Sequence, residues 1–76
     1  APAGSENREV LEAVLSLPPK YREVVYLHYY EDYSTQEIAE ILGVPGATVR
    51  TRLRRGRELL KKKLMEAEGY AGQENV

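Results

Sequence analysis

The stretch Ser34–Arg50, STQEIAEILGVPGATVR, decides how the chain folds. Ser34-Thr35-Gln36-Glu37 is a capping box: the serine oxygen takes the amide of Glu37, and the glutamate reaches back to the amide of Ser34. Tyr33 and Ile38 stand at the two staple positions around it. A helix therefore starts here, with Ile38, Ala39, Ile41 and Leu42 as its apolar stripe. Gly43 stops it as a left-handed residue, with Val44 folding back toward Ile38 or Ala39. Pro45 opens the next helix, where an early proline sacrifices no hydrogen bond. Two amphipathic helices joined only by Gly43 and Val44, with small Ala39 at their crossing and Val49 packing the second onto the first, form a helix-turn-helix.

The helix after the turn is expected to run from Pro45 to about Ala67. Val49, Leu53, Gly56, Leu60 and Leu64 follow one another by three or four residues and form one inward row. At about 100° per residue, Arg50, Arg54, Arg57 and Lys61 line another side, with Thr51 and Arg55 beside them. Upstream, two further helices are predicted. The first runs from about Ser5 to Leu15, capped by Ser5 or Asn7, with Val10, Leu11, Val14 and Leu15 on one face. Leu17-Pro18-Pro19 ends it. The second starts at those prolines and runs to about Glu31, with Tyr21, Val24, Val25, Leu27 and Tyr29 or Tyr30 inward. The expected fold is all-α, a four-helix domain with a C-terminal helix-turn-helix over residues 5–67. Residues 1–4 read as linker or added residues and residues 68–76, without periodicity, as a flexible tail. With Met65 as its only methionine, the chain reads as a piece of a longer protein.

Composition narrows the function. Seventy-six residues, 42% hydrophobic and 30% charged, make one small domain with a highly charged surface. There is no cysteine, hence no disulfide, no thiolate nucleophile and no cysteine-based zinc site. His28 is the only histidine, so a metal or catalytic role would lack companions, and no glycine-rich phosphate loop occurs. No apolar run approaches the roughly 20 residues that span a bilayer. The sequence is that of a binding module, with no enzyme activity, cofactor, metal or small-molecule substrate expected.

Charge points to the partner. The formal net charge is −1, but it is sorted along the chain. Residues 1–44 hold three basic side chains (Arg8, Lys20, Arg22) against eight acidic ones, and residues 45–76 hold eight against four. Five of those eight are arginines, whose planar fork suits guanine edges and phosphates. A basic run on an isolated helix is most often a solvated face. On the second helix of a helix-turn-helix, in an otherwise acidic chain, it fits double-stranded DNA. Pro45-Gly46-Ala47 brings no capping side chain beyond Thr48, so free amides can approach a phosphate there. Lys61, Lys62 and Lys63 lie further on and serve solubility and the helix dipole. His28 reads as a surface residue whose one functional role is a phosphate contact. Tyr26, Tyr29, Tyr30 and Tyr33 suit packing and partner contact better than base stacking, and Glu37 and Glu40 read as solvated. The candidate DNA-binding set is Thr48, Arg50, Thr51, Arg54, Arg55, Arg57, Ser34 and His28.

Taken together, Leu17–Val25 (LPPKYREVV), Tyr33–Pro45 (YSTQEIAEILGVP) and Thr48–Leu53 (TVRTRL) closely resemble region 4 of bacterial sigma factors, nearest the extracytoplasmic-function (ECF) group. The resemblance covers about residues 5–66. It implies a cytoplasmic protein that binds the −35 promoter element through its last helix while docking on the β-subunit flap of core RNA polymerase. A separate region 2, not contained in these residues, would handle the −10 element, and many members are held inactive by an anti-sigma factor. Arg50, Thr51, Arg54 and Arg55 match the family's major-groove positions, and Arg57 a backbone contact. His28 falls where some relatives carry a basic residue touching phosphate. The family often has glycine just before the Thr-Val pair, whereas Gly46 and Ala47 are exchanged here. The rival reading is the output domain of a response-regulator or quorum-type transcription factor, which shares the four-helix plan; co-purification with core polymerase separates the two. A second rival is a protein- or membrane-interaction module, against which the inward leucines leave no apolar face to insert.

Overall fold

The computed structural model describes the backbone of residues 4–74 and the side chains of residues 8–67. Residues 1–3, residues 75–76 and the side chains of the expected caps Ser5 and Asn7 lie outside the described residues. Four helices follow one another: α1 (Gly4–Leu15), α2 (Pro19–Tyr29), α3 (Thr35–Leu42) and α4 (Gly46–Glu74). The all-α class holds, with no strand among the described residues.

The Leu17-Pro18-Pro19 break works in both directions. Pro18, extended at φ −55° and ψ 148°, precedes α2, and Pro19 occupies its first turn. The Pro18 carbonyl then accepts from the amides of Tyr21 (2.9 Å) and Arg22 (2.8 Å), which starts the second helix. At α3 the capping box forms as read: the Glu37 amide donates to Ser34 Oγ at 3.0 Å, and the Ser34 amide to Glu37 Oε1 at 2.8 Å. Gly43 ends α3 in the left-handed region at φ 69°, and the Val44 amide donates to the Ala39 carbonyl at 3.0 Å. That last bond spans six residues and closes a Schellman-type stop.

Seven side chains make the core, each at most 3% exposed: Val14, Leu17, Val24, Val25, Ile38, Val49 and Leu53. They come from all four helices and the first turn, and α4 touches α1, α2 and α3. Val49 and Leu53 anchor α4, with Leu59 and Leu60 packed at the margin. Gly56 allows the closest approach: a Cβ there would lie 2.8 Å from Val25 Cγ2 and 3.4 Å from Tyr21 Cβ. Nothing larger fits between α2 and α4.

The apolar stripes read from the sequence are trimmed at their edges. Leu15 (49% exposed), Tyr29 (49%), Tyr30 (39%) and Ile41 (52%) face outward, not inward. The reason is angular: at about 100° per residue, Ile41 lies about 100° from the centre of the Ile38, Ala39 and Leu42 arc. Leu17, read only as the residue before Pro18, is instead core. The backbone of α4 also continues to Glu74, past the expected end near Ala67 and through most of the expected tail. No proline interrupts residues 68–74, so the backbone ladder can run on; the two glycines there cost about 1 kcal/mol each. At about 1.5 Å per residue this helix accounts for the long axis of the molecule, which is 45 Å.

Candidate nucleic-acid interface

The helix-turn-helix sets α4 against α3 and α2 so that one side is buried and the other is open. Around the helix from Val49 and Leu53, Arg54 and Arg55 are exposed, and Thr51 is half-buried between them. Arg50 and Arg57 are exposed on the flank toward α3 and the end of α2, while Arg52 is half-buried on the opposite flank. The basic row is thus a ridge with a shallow concavity on each side.

The first concavity is lined by His28, Thr35, Ala47, Arg50, Arg54 and Arg57, among others. It gathers five of the expected site residues, Thr51 among them, and brings His28, 26 positions upstream of Arg54, to the same surface. The His28 ring is fixed there. Its Nδ1 lies 2.9 Å from the Tyr33 carbonyl, an acceptor only, so Nδ1 carries the proton and donates. That bond clips the α2–α3 turn, in which Asp32 takes a left-handed φ of 62°, immediately before the Ser34 cap. His28 is therefore structural as well as positioned at the interface, and Nε2 is the ring nitrogen left for any contact with a ligand.

The second concavity lies between α4 and the start of α2, lined by Lys20, Tyr21, Thr48, Thr51, Arg52 and Arg55. Lys20 Nζ sits over the Tyr21 ring, 5.2 Å from its centre, in a cation–π contact. Lys20 and Arg52 were absent from the set read off the sequence. Arg52 falls near the inward row on a helical wheel, and Lys20 belongs to another helix, so no linear pattern joins them.

At the start of α4 the Pro45 carbonyl accepts from the amides of Thr48 (3.0 Å) and Val49 (3.2 Å). Pro45 has no side-chain acceptor, so the Gly46 and Ala47 amides are not capped by it. Arg50 folds back over this end, with Nη1 3.5 Å from where a Gly46 Cβ would stand. The exchange of Gly46 and Ala47 relative to the family pattern thus leaves the small side chain, Ala47, on the concave face. Ser34 lines neither concavity among those described; Thr35 beside it does. Its oxygen serves the capping box, and its hydroxyl hydrogen remains as a donor.

A four-helix domain whose last two helices form a helix-turn-helix, with arginines along the open side of the second, has the arrangement of helix-turn-helix DNA-binding modules. The comparisons with known proteins place it more narrowly. The family described as Sigma-70, region 4 matches residues 7–60. The chain is 47% identical over 60 residues to the ECF RNA polymerase sigma factor SigW of Bacillus subtilis, covering 79% of this chain and 32% of that protein. It is 35% identical over 63 residues to RNA polymerase sigma factor SigV of the same organism, covering 83% and 38%. It is 48% identical over 52 residues to the ECF sigma factor SigE of Mycolicibacterium smegmatis, covering 67% and 20%. The chain belongs to the sigma-70 region 4 family, and it spans well under half the length of these relatives.

Proposed function

We propose that this chain is the −35-binding domain of an ECF sigma factor, which directs RNA polymerase to promoters. The observation that carries this reading is the open ridge of α4, where Arg50, Thr51, Arg54 and Arg55 project from a helix anchored by Val49 and Leu53. Arginine forks at Arg54 and Arg55 suit the O6 and N7 acceptors of guanine in the major groove. The flanking cations, Arg57 beside His28 on one side and Lys20 and Arg52 on the other, suit the two phosphate backbones that border the groove. The chemistry is recognition, not catalysis.

The docking partner in this reading is the β-subunit flap of core RNA polymerase. An apolar groove between α1, α2 and α3 supports it, lined by Leu11, Leu15, Tyr26, Leu27 and Leu42 together with Arg22 and Glu23. An anti-sigma factor that covers region 4 would compete for such a surface. Among the described residues no helix is long and apolar enough to cross a membrane; action on promoter DNA places the protein in the cytoplasm.

The test is selection of bound sites from a random duplex pool by the full-length sigma factor with core polymerase. A common −35-type element, altered or lost in Arg54→Ala and Arg55→Ala, is the expected result. No enrichment, or an identical element in both variants, would overturn the reading. Binding should also weaken with salt, with a log–log slope of about −0.9 per phosphate neutralised. The response-regulator alternative is not favoured by the family match.

A further inference from the structure

Tyr29 was read from the sequence as a candidate inward residue, yet it is 49% exposed. Its hydroxyl oxygen instead accepts a hydrogen bond from Nη1 of Arg57, 28 residues later, at 2.9 Å. Among the described residues this is the side-chain hydrogen bond that ties α2 to α4, and Arg57 is the α4 arginine held by another side chain. Tyr29 is itself braced. The fixed His28 ring meets it edge-on, with centroids 4.9 Å apart and an interplanar angle of 79°. His28 and Arg57 then line the same concavity beside the α4 ridge.

An unheld arginine must surrender rotamer freedom when it grips a phosphate. One already oriented binds with less of that cost. Arg57 has five N–H donors, and the bond to Tyr29 uses one, so the rest stay available to an anion. We propose that Tyr29 is a positioning residue for DNA binding: its hydroxyl aims the Arg57 guanidinium at a backbone phosphate on the His28 side of the groove. The inference rests on the DNA-binding reading above. It adds a residue that touches the DNA only through another.

The experiment titrates this chain against a labelled mixed-sequence duplex at several salt concentrations, because a phosphate grip needs no particular sequence. Tyr29→Phe should bind roughly three- to tenfold more weakly, the range for one hydrogen bond. Its thermal midpoint should be unchanged, since the ring stays and the hydroxyl is at the surface. Arg57→Ala should weaken binding and reduce the salt slope by about 0.9. In the Arg57→Ala background Tyr29→Phe should have little further effect, a coupling that a purely structural role would not produce. Parental affinity in Tyr29→Phe, or losses that simply add in the double variant, would overturn the inference. So would an unchanged Arg57→Ala; if Arg54→Ala and Arg55→Ala still weaken binding then, the DNA-binding reading survives. If none of the arginine variants binds more weakly, that reading itself falls.

Discussion

The two sides of α4 have the same helical period and opposite chemistry. Val49 and Leu53 are at most 3% exposed, whereas Arg50, Arg54, Arg55 and Arg57 are open to solvent on the same roughly 12 Å of axis. The buried side needs one arrangement and loses heavily if a methyl group is removed, because interiors are packed to crystal-like density. The open side loses almost nothing in stability when an arginine is truncated, because exposed charges contribute little to folding. On the proposed reading, stability and recognition are therefore separable on one helix, and variants should sort cleanly into those that melt the domain and those that blind it.

The largest effect is expected at Leu53→Ala. Removing a buried leucine costs about 2–5 kcal/mol, a large share of the stability of so small a domain. Thermal unfolding followed by circular dichroism should show a much lower midpoint, and DNA binding should disappear with the fold. Next come Arg50→Ala and Arg55→Ala, which should cost about 1–3 kcal/mol in DNA affinity per lost bidentate contact and leave the melting curve in place. A fall in midpoint matching the loss of affinity would break the separation of the two sides.

Gly56→Ala tests the buried side from the opposite direction, by adding an atom. The new Cβ would stand 2.8 Å from Val25 Cγ2, so α2 and α4 must shift apart or Val25 must turn. Overpacking costs about 1–3 kcal/mol, partly offset by the up to about 1 kcal/mol that alanine gains over glycine in a helix. A net loss of about 1–2 kcal/mol is expected in denaturant unfolding. Ser34→Ala comes lower, at about 1 kcal/mol for the lost cap. If Ser34 also donates to a phosphate, DNA affinity measured well below the melting range should fall too; an unchanged affinity would leave it a cap alone.

How far the sequence foretold this molecule follows from the same contrast. The helix-turn-helix was legible because its signals are local: the Ser34–Glu37 box, the left-handed Gly43 and the Val49 anchor each act within a few residues, and each is present. The ridge of α4 was legible because one helix fixes its own periodicity. What escaped was set by neighbours distant in sequence. Lys20 reaches the flank of α4 only because α2 packs against it at Gly56. Tyr29 meets Arg57 across 28 residues. Leu17 is core because the two prolines fold the chain back over it, which a stripe count along α1 cannot anticipate. His28 was read as surface or phosphate contact, and its bond to the Tyr33 carbonyl depends on the shape of a turn with Asp32 in the left-handed region.

The smallest expected effect on stability is the sharpest test of the comparison. By simple spacing Ile41 belongs to the apolar stripe of α3, and a reading by spacing alone predicts a core-sized loss for Ile41→Ser. The structure leaves Ile41 52% exposed, against 0% for Ile38 three residues earlier. Isoleucine and serine have nearly equal helix propensity, so the backbone term roughly cancels. Away from the core, such a change should stay within about 0.5 kcal/mol of the parent in chemical unfolding. Affinity for a duplex should also hold, since Ile41 lines neither of the two concavities beside the α4 ridge. What should suffer is partner docking. An exposed isoleucine, next in the chain to Leu42 of the apolar groove, has no folding role to explain it, and on the reading proposed above binding to core polymerase should weaken in Ile41→Ser while melting and DNA affinity stand still. A drop in stability of 2 kcal/mol or more, the cost of a core truncation, would instead return Ile41 to the interior and redraw the boundary of α3.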